Sequence, residues 1–130
     1  MSRYFTIKQA NDAIPHVKEM YDHIVKCKIE IMRLEQEISS SDGSLARYVP
    51  LKQNLNSAAT KFYDAIEKLE SMGVLIKSID DGLLDFPAER YGNEIWLCWK
   101  SGEDGVKFWH EKDSGFGSRK PIEISDESLI

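Results

Sequence analysis

The chain has 130 residues, 42% of them apolar and 30% charged, with a net charge of −5. That suffices for one domain with one modest core, and it argues against a nucleic-acid binder, which usually carries a basic stripe. Residues 1–79 hold 11 basic against 10 acidic side chains, whereas residues 80–130 hold 6 against 12, so the second part attracts cations and repels phosphates. Cys27 and Cys98 lie in no C-x-x-C pair and make no disulfide framework. The start, Met-Ser-Arg-Tyr-Phe-Thr, lacks the apolar run of a signal peptide. No window approaches the ~20 apolar residues of a membrane span. A reduced, cytoplasmic protein without a membrane segment is expected.

Thr6 and Gln9 form a capping-box pair that opens a helix, with Phe5 placed as its hydrophobic staple. Ile7, Ala10, Ile14, Val17, Tyr21, Ile24, Ile31 and Ile38 recur at three- and four-residue steps, widened by Met20, Cys27 and Leu34. Pro15 falls inside the pattern and is expected to kink the helix without ending it. The small polar residues at 39–44 break it. A second helix follows from Leu45, Tyr48, Leu51, Leu55, Ala58, Phe62, Ala65, Ile66, Leu69 and Met72. Pro50 is read as marking its first turn, and Gly73 as the residue that closes it. The short connection predicts an antiparallel hairpin.

After Gly73 the period changes from 3.6 to 2. Val74–Ile79, Leu83–Phe86 (stopped by Pro87), Glu94–Trp99 and Val106–Glu111 read as short strands. They are separated by turns at Asp80-Asp81-Gly82, Tyr91-Gly92-Asn93 and Ser101–Gly105. The expected fold is α+β in a single domain, 1–130. A long antiparallel two-helix hairpin (1–73) precedes a small three- to four-stranded antiparallel sheet (74–124), with a flexible tail at 125–130.

Strand parity sorts the candidate chemistry. Glu94, Trp96 and Cys98 share one face of their strand, and Ile95, Leu97 and Trp99 the other. Val106, Phe108 and His110 share a face, opposite Lys107, Trp109 and Glu111. His110 and Glu111 therefore point apart unless a bulge follows Trp109. His110 with carboxylates drawn from Asp85, Glu94, Glu103, Glu111 and Asp113 suits Zn²⁺, Mn²⁺ or Fe²⁺ by ligand type. Against this stands the plainer reading of a packed strand histidine with acids at turns and rims. Asp12, His16, Glu19 and His23 form a second stripe, on the polar edge of the first helix. A solvated face is its plainer explanation. Asp85, Trp99, Trp109 and Arg119 are candidate ligand-binding residues, Arg119 as a carboxylate's partner. Most of the seven aromatics between Phe86 and Phe116 are expected in the core, with one or two left for a binding patch. Cys98 reads as a small buried hydrophobe.

The opening Phe5-Thr6 with Ala10-Asn11 and Pro15, then Gly82-Leu83-Leu84-Asp85-Phe86-Pro87-Ala88, resembles an uncharacterised prokaryotic family. The likeness continues through Leu97-Cys98-Trp99-Lys100, Gly102-Glu103, Phe108-Trp109-His110-Glu111, Asp113, Gly115-Phe116 and Arg119-Lys120-Pro121-Ile122. The family is that of domain of unknown function 2203. The resemblance implies a small cytoplasmic protein and supplies no reaction or substrate. His110, Glu111, Asp85 and Arg119 fall in its motif-like segment, and His16 and His23 do not.

Three functions compete. The first is a non-enzymatic interaction or ligand-binding module that presents an acidic, aromatic-rich sheet surface to a protein partner. Apolar stripes wider than one neighbouring helix needs predict a homodimer through the hairpin. The second is a divalent-metal protein or metal-dependent enzyme centred on His110. The third, structured-RNA binding by the hairpin, is disfavoured by a pI near 5.2. No complete catalytic motif is present.

Overall fold

A computed structural model describes residues 4–114 and 116–123; the expected tail at 125–130 lies outside them. Helix α1 spans Ile7–Ser39, about 50 Å at 1.5 Å per residue. Its capping box forms as the sequence predicts. Gln9 N–H donates to Thr6 Oγ1 at 3.1 Å, and Thr6 N–H donates to Gln9 Oε1 at 3.0 Å. The preceding Phe5 is buried and meets Phe86 of the sheet edge-on, with centroids 5.2 Å apart. The start of the helix is thereby fixed to the sheet. Pro15 lies inside α1 without ending it.

Helix α2 spans Leu45–Ser71. It therefore begins five residues before Pro50, which corrects the expectation that this proline marks the first turn. One missing backbone bond is tolerated inside a helix whose other face packs on α1. Gly73, at φ 92°, donates to the Glu70 carbonyl and closes α2, a left-handed position that glycine accepts at little cost.

Five strands follow, β1 (Leu75–Ser78), β2 (Leu83–Arg90), β3 (Asn93–Lys100), β4 (Phe108–Glu111) and β5 (Lys120–Pro121). They pair in chain order as an antiparallel meander. The α+β architecture of hairpin and sheet is as expected, with one strand more than predicted. Strand β5 has two residues and supplies too little sequence for period 2 to register. Strand β2 also runs through Pro87 instead of stopping there. The Pro87 carbonyl accepts from Phe5 N–H at 2.7 Å, away from β3. In an extended strand the N and the carbonyl of one residue point to the same side. The missing N–H of Pro87 therefore faces away from the ladder to β3 and breaks none of its bonds.

The core lies between the helices and one face of the sheet. Ala10, Ile14, Val17, Tyr21 and Ile24 of α1, with Ala65 and Leu69 of α2, meet Leu84, Phe86, Ala88, Ile95, Leu97, Trp99, Val106 and Trp109. Two polar ties hold the layers in register. Tyr21 Oη donates to the Ile79 carbonyl at 2.5 Å, and Val106 N–H donates to Asn11 Oδ1 at 2.7 Å. Lys28 of α1 still reaches the β1–β2 turn, pairing with Asp80 at 2.6 Å. No residue of α2 from 45 to 57 is buried, and Leu45, Tyr48 and Val49 remain exposed. Among the described residues no helix is long and apolar enough to cross a membrane.

Candidate metal centre

Three adjacent strands bring Asp85, Cys98 and His110 together on the sheet face turned away from the helices. The alignment follows from the β2–β3 turn. Its two loop residues, Tyr91 and Gly92, have φ of 51° and 80°, as a type I′ hairpin requires. That tight turn sets Arg90 opposite Asn93, and counting back sets Asp85 opposite Cys98. Because the Pro87–Trp96 pair exchanges no backbone bond, alternation makes Asp85–Cys98 another such pair, whose side chains approach closely. Strand β4 then sets His110 opposite Trp96 and Phe108 opposite Cys98. His110 thus projects on the same face as Asp85 and Cys98.

All three side chains are buried, with Asp85 1%, Cys98 2% and His110 2% exposed. One ligand atom from each lies within 4.8 Å of the others. His110 Nδ1 is 2.9 Å from the Glu111 carbonyl. A carbonyl only accepts, so Nδ1 carries a proton and Nε2 is directed at Asp85, 3.2 and 3.3 Å from its two oxygens. Two bare acceptors would repel at that distance. One proton is therefore shared between Asp85 and His110. Burial pushes the Asp85 carboxyl above the ordinary aspartate range, and the neighbouring His110 pulls the other way. Burial, then the Asp85 charge, pushes the Cys98 thiol up to about 11. Without an ion this thiol is protonated and a poor nucleophile.

The surroundings fix the cluster's edge. Arg119 lies over the Phe108 ring, 4.0 Å from its centroid, and donates to Glu103 at 2.6 Å and to the Cys98 carbonyl at 3.4 Å. Glu103 also accepts from Lys100 N–H at 2.7 Å, and its carbonyl accepts from Trp99 Nε1 at 2.9 Å. The anticipated pairing of Arg119 with a carboxylate is thus made with Glu103.

Of the acids grouped with His110 in the sequence, the structure brings only Asp85 to it. Glu111 is exposed, on the opposite face as parity requires, and pairs with Lys120 at 2.5 Å. Glu94 is exposed and held by Lys112 at 2.6 Å and by Tyr4. Asp113 is exposed after the strand's end. Trp99 and Trp109 are buried on the helix face, which removes them from a solvent-facing aromatic surface. The residue that sequence reasoning left out is Cys98. Counting outward from Tyr91-Gly92 as a two-residue turn would have found it.

A helical hairpin backed by a meander sheet, with a buried Asp–Cys–His cluster on the outer sheet face, defines the class. The chain belongs to the family described as "Uncharacterized conserved protein (DUF2203)", which it matches over residues 3–122. No curated protein and no solved structure matches it.

Proposed function

We propose that the protein binds one divalent transition-metal ion through Asp85, Cys98 and His110. The observation that carries this reading is the convergence of a carboxylate, a thiol and an imidazole within 4.8 Å in a buried site. Zn–N and Zn–O bonds of about 2.0–2.1 Å put tetrahedral neighbours roughly 3.3 Å apart. His110 Nε2 already stands at that distance from Asp85. The Glu111 carbonyl on Nδ1 is the outer contact that aims a metal-bound histidine and fixes its tautomer. A thiolate in the set favours Zn²⁺ or Fe²⁺ over Mn²⁺, which prefers oxygen. Three protein ligands leave a fourth position for water or an added ligand, unlike a closed four-residue structural site.

The test is metal content after purification without chelator, followed by calorimetric titration of Zn²⁺ and Co²⁺ into the stripped protein. One ion per chain is expected, with a thiolate-to-cobalt charge-transfer band that disappears in Cys98→Ser. Absence of binding by wild type, or equal affinity in His110→Ala, would leave Asp85 and His110 as a self-satisfied buried pair.

A second reading concerns assembly, and the exposed Leu45, Tyr48 and Val49 at the start of α2 favour it. We propose that this end of the hairpin associates with a second copy. The sheet surface is a weaker candidate for a partner, because its acids Glu94 and Glu111 are neutralised by Lys112 and Lys120. RNA binding gains no support from a chain whose net charge is −5 and whose pI is near 5.2.

A further inference from the structure

The two cysteines have opposite surroundings, and the one outside the candidate metal centre opens onto a cavity. Cys27, in α1, is 8% exposed, and its Sγ lies 3.7 Å from His23 Nε2, one helical turn back. Both side chains line a groove of about 320 Å³ between α1 and α2. Leu34 and Ala58 supply apolar wall, Asn54 and Ser57 supply polar rim, and Lys26 and Lys61 bring positive charge from the two helices. The one acid in the lining, Glu30, is clasped by Arg33 through both its oxygens, at 2.6 and 3.0 Å. The charged and titratable groups facing the thiol are thus His23, Lys26 and Glu30 from α1 and Lys61 from α2, with net positive charge. A second cavity of about 340 Å³ shares His23 and continues past His16, Glu19 and Met20 to Lys68.

A thiol beside an imidazole, at the wall of a cation-lined groove, has the parts of an activated nucleophile. We propose that this groove binds small anionic disulfides and that Cys27 is their acceptor thiol. His23 takes the Cys27 proton as the sulfur attacks one sulfur of the incoming disulfide. A new S–S bond forms to Cys27, the old S–S bond breaks, and the second half leaves as a thiolate that recovers the proton from His23. The incoming disulfide is the oxidant, and a second thiol reverses the step. Lys26 and Lys61 raise the local concentration of an anionic reagent. Cys98 takes no part: it is 2% exposed, faces Asp85 across the β2–β3 pair, and burial pushes its thiol up.

The experiment uses the full chain and two probes, the dicarboxylate 5,5′-dithiobis(2-nitrobenzoate) and the dicationic disulfide cystamine. One thiol per chain is expected to react quickly with the dicarboxylate in the native state, and the second only on unfolding. Mass analysis of the modified peptide places the adduct on Cys27. Cys27→Ser abolishes the fast phase, and Cys98→Ser leaves it intact. His23→Gln slows it about tenfold or more, by loss of a positioned base. Lys26→Gln with Lys61→Gln lowers the dicarboxylate rate severalfold at low salt and raises that of cystamine. A fast phase that persists in Cys27→Ser, an adduct on Cys98, or no preference between the two probes overturns the proposal. Because His23 and both lysines lie on the polar rim, a circular dichroism spectrum matching wild type separates loss of the site from loss of the fold.

Discussion

Metal binding at the Asp85–Cys98–His110 cluster must displace protons, and the geometry sets how many. In the ion-free protein Asp85 and His110 share one proton, as the contact at 3.2 Å demands, and Cys98 keeps its own because its thiol is pushed up to about 11. Ligation needs the Nε2 lone pair, the carboxylate and the thiolate, so both protons leave. Each released proton makes the affinity rise about tenfold per pH unit, or about 1.4 kcal/mol. Two make it rise about a hundredfold while both groups remain protonated in the ion-free state. The assay is calorimetric titration of Zn²⁺ at pH 7 in several buffers of different ionisation enthalpy. The slope of the observed enthalpy against buffer enthalpy counts the protons. The expected slope is two for wild type, and the high-affinity binding heat is expected to be lost in Cys98→Ser. A slope near zero in wild type, or an affinity independent of pH, would refute the reasoning, because the ion would then be held by exposed acids such as Glu111 and Asp113.

In stripped protein, burial holds the Asp85 pKa above its unfolded value. Its contribution to stability is therefore full below about pH 3.9 and is lost as pH rises through the folded value. The stability difference between wild type and Asp85→Asn, read by urea unfolding with chelator present, should fall as pH rises from 4; a constant difference would contradict it. At Gly82 (φ +67°) an added Cβ would stand 2.6 Å from Ser101 Cβ. Gly82→Ala should therefore lower Tm by at least about 4 °C in a thermal melt. The exposed Leu45, Tyr48 and Val49 predict a dimer by sedimentation equilibrium and a monomer for the triple serine variant; a monomeric wild type at micromolar concentration would reject it.

Much of the fold was legible because its signals are local. The Thr6–Gln9 capping box lies within one helical turn, and the three–four stripe from Ala10 to Ile24 is built from steps of about one turn each. What failed was what depends on partners. Pro87 reads as a stop signal, and only the Phe5 N–H against its carbonyl shows why the strand continues. Strand β5 owes its pairing to Phe108 and Trp109 across a long loop, and nothing in Lys120-Pro121 alone announces it. The candidate site was half legible. Parity separated His110 from Glu111, as observed, but parity within one strand cannot say which residue of the next strand lies opposite. That knowledge sits in the turn. Read as a two-residue type I′ loop, Tyr91-Gly92 fixes the β2–β3 register and makes Asp85 and Cys98 neighbours.

The position of the cluster bears on why it is polar at all. The sheet buries its core residues against the helices on one face, and Asp85, Cys98 and His110 occupy the other, where apolar side chains of similar size would pack without desolvating any charge. Replacing a buried ionic group by apolar ones is often neutral or stabilising, so stability alone gives this chain little reason for the trio. Structural polarity would also be served by any pair that satisfies itself, and Asp85 with His110 already does so. The thiol is the surplus element. Cys98 adds neither a strong hydrogen bond nor a charge in the ion-free state, yet it directly faces Asp85 from the next strand. Its place is explained when the three atoms act together on an ion. That makes Cys98→Ser the variant that separates the metal reading from the packed-histidine reading: it should spare the fold and remove the high-affinity site.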